Sequence, residues 1–202
     1  LRDAGFIRMA TLEDNVEFVH PVVVAAKKDE HGNWTDKRFC VDLRETNKQV
    51  NTDRYQMPLP EELFASLGSS QYFTAFDMRS GFLNHRVHPA EQRCLAFYWK
   101  DQIWVYTRMP FGHKNAPAAY QRVMDLAIME AGVQENAVCY VDDVLLHTAT
   151  IAAHLRVMAQ LFGVFAKYDM RVHPKKSLVL TQDVEFLGHR IHPGDMSPHE
   201  TK

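Results

Sequence analysis

Ala137-Val138-Cys139-Tyr140-Val141-Asp142-Asp143-Val144-Leu145-Leu146 places two adjacent carboxylates in the middle of an otherwise apolar, β-branched run. The run is too short and too branched for a helix and reads as extended chain. Burying unpaired negative charge costs roughly several kcal/mol per ion. Either a cation stands nearby, or the pair lies at an exposed turn, where Asp is at home because it tolerates positive φ. A second acid bears on that choice. Asp77 ends the strand-like Tyr72-Phe73-Thr74-Ala75-Phe76 and precedes the break Arg79-Ser80-Gly81, and acids at the ends of two strands can converge on one sheet edge. Carboxylates gathered there suit Mg²⁺, a hard ion that keeps some waters and is commonly completed by substrate phosphates. Two such ions serve in-line phosphoryl transfer without a separate nucleophilic residue. No GxSxG, Walker loop, HExxH or dinucleotide glycine fingerprint points to other chemistry.

Outward from these acids the chain alternates between short strands and helices. Val19-His20-Pro21-Val22-Val23-Val24-Ala25, a polar cluster over residues 27–33, and Arg38-Phe39-Cys40-Val41-Asp42-Leu43 read as a hairpin. Residues 60–68 carry Pro and two acids in a first turn and Gly at the end, the layout of a short helix. Residues 95–99 and 103–106, joined by Lys100-Asp101, form a second, aromatic hairpin. From Asn115, a candidate cap, Ala116, Ala119, Tyr120, Val123, Met124, Ala127 and Ala131 recur at helical spacing up to Gly132, and Leu155, Met158, Phe162 and Phe165 mark a second helix. Short strands follow at residues 178–180 and 185–191, while residues 196–202 show no core pattern. The order predicts an α+β fold, an antiparallel sheet with helices packed on one face.

Composition narrows the class without naming it. The 202 residues are 46% hydrophobic and 24% charged, with 23 Lys+Arg against 25 Asp+Glu, so bulk charge gives no polyanion signal and any such site is local. The longest apolar stretch, Pro21-Val22-Val23-Val24-Ala25-Ala26, is far shorter than the roughly 20 residues of a membrane helix, and no membrane association is expected. Cys40, Cys94 and Cys139 are unpaired in pattern and imply a reducing compartment. The pairs His85/His88 and His189/His192 lack a ligand quartet and read as packing or solvent-facing residues. Leu1 is not an initiator Met, and the chain is expected to be a domain of a longer polypeptide.

Tyr140-Val141-Asp142-Asp143, together with the strand ending in Asp77, Met109-Pro110-Phe111-Gly112-His113-Lys114-Asn115-Ala116-Pro117, Tyr55-Gln56-Met57-Pro58-Leu59-Pro60 and Phe186-Leu187-Gly188, resembles the reverse transcriptases of LTR retrotransposons, the gypsy-like group among them, and of retroviruses. The resemblance extends over nearly the whole chain in the family order. It implies polymerase fingers (about residues 1–68 and 90–117) and palm (about 69–89 and 118–202), without thumb, connection or RNase H. It implies an RNA- and DNA-directed DNA polymerase that adds dNTPs to a primer 3′-hydroxyl on an RNA or DNA template. Two Mg²⁺, with Mn²⁺ able to substitute, would be held by Asp77, Asp142 and Asp143.

Further roles follow from the same resemblance. Lys27 and Arg38 would contact the dNTP triphosphate, Phe82 would exclude a ribose 2′-hydroxyl, and Phe111-Gly112 would pack on the nucleotide. Lys176 would assist proton transfer to pyrophosphate, and Phe186, Leu187 and Gly188 would grip the primer. Fusion to RNase H and integrase and residence in cytoplasmic virus-like particles are also implied. The competing expectation is a catalytically silent nucleic-acid-binding or assembly module that retains the fold. Asn84-His85 departs from the His-Gln usual in gypsy-like relatives.

Overall fold

The computed structural model describes residues 1–28, 33–78 and 81–198, and the backbone alone at Ala25, Lys27, Lys28, Thr35, Asp36, Lys37, Arg38, Met196 and Pro198. In chain order the elements are β1 (Ile7–Met9), β2 (Val22–Lys28), β3 (Trp34–Val41), α1 (Arg44–Gln49), α2 (Pro60–Ser66), β4 (Tyr72–Asp77), β5 (Ala96–Trp99), β6 (Gln102–Tyr106), α3 (Ala116–Ala131), β7 (Ala137–Tyr140), β8 (Asp143–Thr148), α4 (Ile151–Lys167), β9 (Leu178–Thr181), β10 (Val184–Phe186), β11 (His189–His192) and β12 (Asp195–Pro198). They divide into two compact units, residues 1–53 with 82–117, and residues 54–81 with 118 onward.

The first unit holds the sheet β1-β6-β5 and the β2-β3 hairpin around Val41, Leu43, Leu83, Val87, Leu95, Phe97 and Tyr106. Both expected hairpins are present. The β5-β6 turn closes with positive φ at Lys100 (50°) and Asp101 (60°), the mirror-image geometry whose twist matches the flanking strands. Asn115 does not cap α3 with its side chain. Its Oδ1 accepts from Asp53 N–H at 3.0 Å and its Nδ2 donates to Asn51 O at 2.8 Å, so the amide fastens an earlier segment of chain.

The second unit is built on the four-stranded antiparallel sheet β7-β8-β4-β9, with β10-β11-β12 as a separate meander. Strand alternation sorts the side chains by face. Thr74 and Phe76 meet α4, through Thr74 Oγ1 and His154 Nε2 at 2.7 Å and the Phe76 and Phe162 rings at 5.2 Å. Phe73, Leu145 and Val138 face the other way and pack with Leu67, Val184, Phe186 and Ile191. Thr150 starts α4 by accepting from Ala153 N–H at 3.2 Å, the side-chain cap expected of Thr there.

Packing decides which unit two connecting segments join. Residues 54–68 join the second unit because Leu63, Phe64 and Leu67 of the α2 segment pack against the cluster of Phe73 and Phe186. Residues 82–89 join the first because Leu83 and Val87 are part of its core. The patternless stretch from residue 196 falls partly in a strand, β12, which pairs antiparallel with β11, as in Ile191 opposite Met196. Ladder hydrogen bonds need no hydrophobic pattern to form. Among the described residues no helix is long and apolar enough to cross a membrane, and Cys40, Cys94 and Cys139 are free thiols.

Candidate active site

The apolar run containing the acid pair is two strands and not one. Tyr140 of β7 pairs with Asp143 of β8, which leaves Val141 and Asp142 as a two-residue loop. The acids therefore sit at a turn and beside a second acid at once, so the two readings of the pair were never alternatives. Val141 has φ 54°, the left-handed region, at a position where such turns normally carry Gly. A β-branched residue held there costs about 1–3 kcal/mol and persists only where its surroundings over-determine it. Here Val141 N–H donates to Gln121 Oε1 at 2.7 Å, and Cys139 Sγ donates to Val141 O at 3.2 Å.

Asp77, the last residue of β4, stands directly opposite Asp143 in the ladder. By alternation both project from the face that carries Phe73 and Leu145. Burial raises the Asp142 pKa first, and the charges of Asp143 and Asp77 raise it further. Burial also raises that of Asp143, followed by the charge of Asp77. Two carboxylates whose ionisation is opposed by burial and by neighbouring charge form a site that a cation stabilises. One buried oxygen, Asp142 Oδ1, has no hydrogen-bond partner among the described residues. Gly81 lies so close that a Cβ there would stand 2.1 Å from that same oxygen. A side chain at 81 would therefore force the Asp142 carboxylate to shift.

The cation at hand is Lys176, whose Nζ lies 3.6 Å from Asp77 Oδ2. Its loop is tied to the end of β4. His173 N–H donates to Asp77 O at 2.7 Å, and Asp77 N–H donates to Ser177 Oγ at 3.3 Å. Among the described residues no three acidic, imidazole or thiol groups form a ready-made metal cage. The set fits an ion that takes one or two carboxylates from the protein and the rest of its shell from water and phosphate oxygens, as Mg²⁺ does.

Asp143 also opens onto a cleft of about 320 Å³ lined by Ala75, Phe76 and Val144 on the sheet side and by residues 185–188 on the other. Those residues turn between β10 and β11 with positive φ at Leu187 (48°) and Gly188 (73°). Phe186 is anchored in the core at 4% exposure, which fixes the hairpin beside Asp143. The structure thus brings Asp77, Asp142, Asp143 and Lys176 together and sets Phe186, Leu187 and Gly188 beside Asp143.

The remaining candidates belong to the other unit. Phe82 and Phe111 pack edge to face with centroids 5.7 Å apart, and both are half-buried. Gly112 has φ 90° and its carbonyl accepts from Asn47 Nδ2 at 2.7 Å. The backbone angle, and not crowding, demands glycine there, since a Cβ would come no nearer than 3.9 Å to Val41 O. Lys27 lies on β2 beside an irregularity between Ala26 and Lys28, and Arg38 lies on β3 opposite Ala25. The side chains of Lys27 and Arg38 fall outside the described residues. His189 packs on Phe64 at 4.6 Å between centroids, in keeping with a packing role.

Comparison with known proteins agrees with the geometry. Residues 26–191 match the family described as "Reverse transcriptase (RNA-dependent DNA polymerase)". The chain is 31% identical over 200 residues to the retrovirus-related Pol polyprotein from transposon 297 of Drosophila melanogaster, covering 98% of this chain and 18% of that one. It is 32% identical over 174 residues to the Pol polyprotein from transposon gypsy of the same fly, covering 83% and 16%. Among solved structures, a foamy viral protease-reverse transcriptase in complex with double-stranded DNA superposes with a TM-score of 0.85 at 26% identity, over 99% of this chain and 33% of that one. The chain therefore spans less than a fifth of the curated polyproteins it matches. With a family match over most of its length and a relative above 30% identity, the chain belongs to the reverse transcriptase (RNA-dependent DNA polymerase) family.

Proposed function

We propose that this chain is the polymerase portion of a retrotransposon-type reverse transcriptase, extending a primer 3′-hydroxyl with dNTPs on RNA and on DNA templates. The observation that carries the reading is the acid turn: Asp142 presents a buried oxygen with no hydrogen-bond partner among the described residues, next to Asp143, which itself stands opposite Asp77. Asp77, Asp142 and Asp143 would hold two Mg²⁺, or Mn²⁺. Bound there, the ions would activate the attacking hydroxyl and neutralise charge on the leaving pyrophosphate.

The chain's own residues position and balance charge. Gly81 leaves room for the Asp142 carboxylate. Lys176 offsets the charge of Asp77 and is close enough to the acids to serve as a proton donor to pyrophosphate. The hairpin of Phe186, Leu187 and Gly188 would hold the primer end in the cleft beside Asp143. For the dNTP we assign Lys27 and Arg38 to the triphosphate, where paired cations match phosphate oxygens. Phe111 and Gly112 would pack on the base and sugar. Phe82 would reject rNTPs, since an apolar ring gives a 2′-hydroxyl neither room nor a hydrogen bond. We assign about residues 69–89 and 118–202 to a palm and about residues 1–68 and 90–117 to fingers. The Pol polyprotein relatives support a polyprotein context, in which the chain would be fused to RNase H and integrase and would reside in cytoplasmic virus-like particles.

Primer extension on poly(rA)/oligo(dT), by the chain alone and within a longer segment of its reading frame, tests the proposal. Incorporation should require Mg²⁺ or Mn²⁺ and be abolished by Asp77→Asn or Asp142→Asn. Salt-dependent binding of primer-template with no incorporation in either form would favour a silent binding module instead.

A further inference from the structure

Gln121, on α3, is fully buried at 0% exposure, and its amide group is used completely on the donor side. Its Oε1 accepts from Val141 N–H at 2.7 Å, while Nε2 donates to Cys139 O at 2.9 Å and to Asp125 Oδ1 at 2.9 Å. β7 is an edge strand, so Cys139 O and Val141 N–H are backbone groups that a neighbouring strand would otherwise pair. One side-chain amide takes that strand's place, bonding the carbonyl of one residue and the N–H two residues on, as a peptide group would. The loop residue so gripped is the one held at positive φ immediately before Asp142.

The amide must point one way for this to work. Flipped, its oxygen would face Cys139 O and its NH₂ would face Val141 N–H, like against like. Asp125, one helical turn further along α3, enforces the productive sense, because an ionised carboxylate only accepts and so draws the NH₂ toward itself. The other Asp125 oxygen is in turn occupied, by Tyr55 O–H at 2.6 Å, and the Arg122 guanidinium lies 4.9 Å from the Tyr55 ring centroid. Hydrogen bonding to Asp125 raises the Tyr55 pKa to about 12, so the hydroxyl keeps its proton and stays a donor.

We propose that Tyr55, Asp125 and Gln121 form a positioning relay that fixes the Val141-Asp142 turn, and with it the direction in which Asp142 offers its carboxylate to a divalent ion. The inference deepens the polymerase reading and rests on it for the role of Asp142. The contacts themselves do not depend on that reading. Partners that orient metal-binding side chains typically change metal affinity by about 10–100-fold when lost.

The test combines two measurements on the folded chain. The first is Mn²⁺ affinity, from the signal of free Mn²⁺ in solution. The second is hydrogen exchange of the Val141 amide without metal. Gln121→Met fills similar volume but leaves Val141 N–H and Cys139 O unpaired. It should weaken Mn²⁺ binding about 10–100-fold and accelerate Val141 exchange. Asp125→Asn, which can donate as well as accept, no longer enforces the sense of the amide and should move both readouts the same way by less. Tyr55→Phe should move them least, about threefold. Melting temperature guards against a purely structural effect, and should Gln121→Met fail to fold, Asp125→Asn and Tyr55→Phe decide.

Parent-like Val141 exchange in the folded variants overturns the relay. Parent-like Mn²⁺ affinity beside faster exchange overturns its link to Asp142. Asp77→Asn separates the two readings. Expected to weaken Mn²⁺ binding without altering Val141 exchange, it would sink the metal assignment if it left affinity unchanged, while the exchange measurement still judged the relay's grip.

Discussion

Two hairpin turns of the same length behave in opposite ways. Lys100-Asp101 closes β5-β6 in the open, with both residues at positive φ and Asp101 Oδ1 accepting from its own neighbour, Tyr98 O–H, at 3.0 Å. Val141-Asp142 closes β7-β8 with a β-branched residue at positive φ, a carboxylate oxygen without a partner among the described residues and a grip supplied by α3. The first turn only has to reverse the chain, and it satisfies itself. The second, under the proposed function, would have to present a charge in one direction, and its conformation is held by a contact from α3. Local rules are broken at the second turn, and broken rules tend to gather where a function is served.

The contrast breaks hardest at the acid. Asp142→Asn should lower primer extension by at least about 1,000-fold, roughly 4 kcal/mol of transition-state stabilisation. The same variant should melt about a degree or more higher, since it removes a carboxylate that the fold holds against burial and repulsion. Asp101→Asn should change neither quantity, as primer extension and thermal melting of both variants will show. Next comes Gly81→Ala, whose Cβ would collide with the Asp142 carboxylate. We expect a loss of about 10–100-fold in rate, as for a misplaced catalytic group, with a smaller effect on melting.

A third prediction concerns pH and β8. His147 is buried at 2% exposure, pairs with Ser70 Oγ at 3.0 Å, and has no partner at Nε2 among the described residues. Burial, and after it the neighbouring His154, lowers its pKa from 6.5 to about 4. The unfolded chain therefore takes up that proton first. Its contribution is complete above pH 6.5 and is lost as pH falls through that value toward 4. The loss is on the order of 2–3 kcal/mol, and denaturant titrations of the parent and His147→Asn across this window should isolate it. Asp142 and Asp143, whose pKa values are raised, act with the opposite sign, so the difference between the two proteins is the informative quantity.

The smallest effect sharpens the original contrast. Lys100→Gly relieves a left-handed residue in the self-sufficient turn and should add roughly 0.5–1 kcal/mol in thermal or denaturant unfolding, with extension unchanged. Val141→Gly gains the same relief but frees the turn that aims Asp142. Its extension rate should therefore fall by about threefold.

What could be read from the sequence followed period and punctuation. The β2-β3 and β5-β6 hairpins, α3, α4 and the strand ending in Asp77 all announced themselves through alternation or helical spacing. The break inside residues 137–146 did not, because Val141 carries none of the Asn-Gly or Asp-Gly chemistry that marks a tight turn. Gln121 looked like one more polar position between Tyr120 and Met124 in an amphipathic helix. Its partner lies 20 residues further on, and no spacing rule spans that distance. Gly81 was visible as a break, but its closeness to the Asp142 carboxylate was not. Asn115 misled because a capping residue and a side chain recruited by a distant backbone are the same letters. β12 had no apolar pattern because its pairing is carried by the backbone.

The contact between Lys176 and Asp77 has a consequence for how such a centre fills. An ammonium already stands beside the carboxylate, so a divalent ion binding there as proposed would exchange with a resident charge and would not enter an undefended hole. The displaced lysine is tethered through His173 and Ser177 to the end of β4. Once displaced, it would remain near the rim with its positive charge unbalanced, available to an anion that such an ion brings.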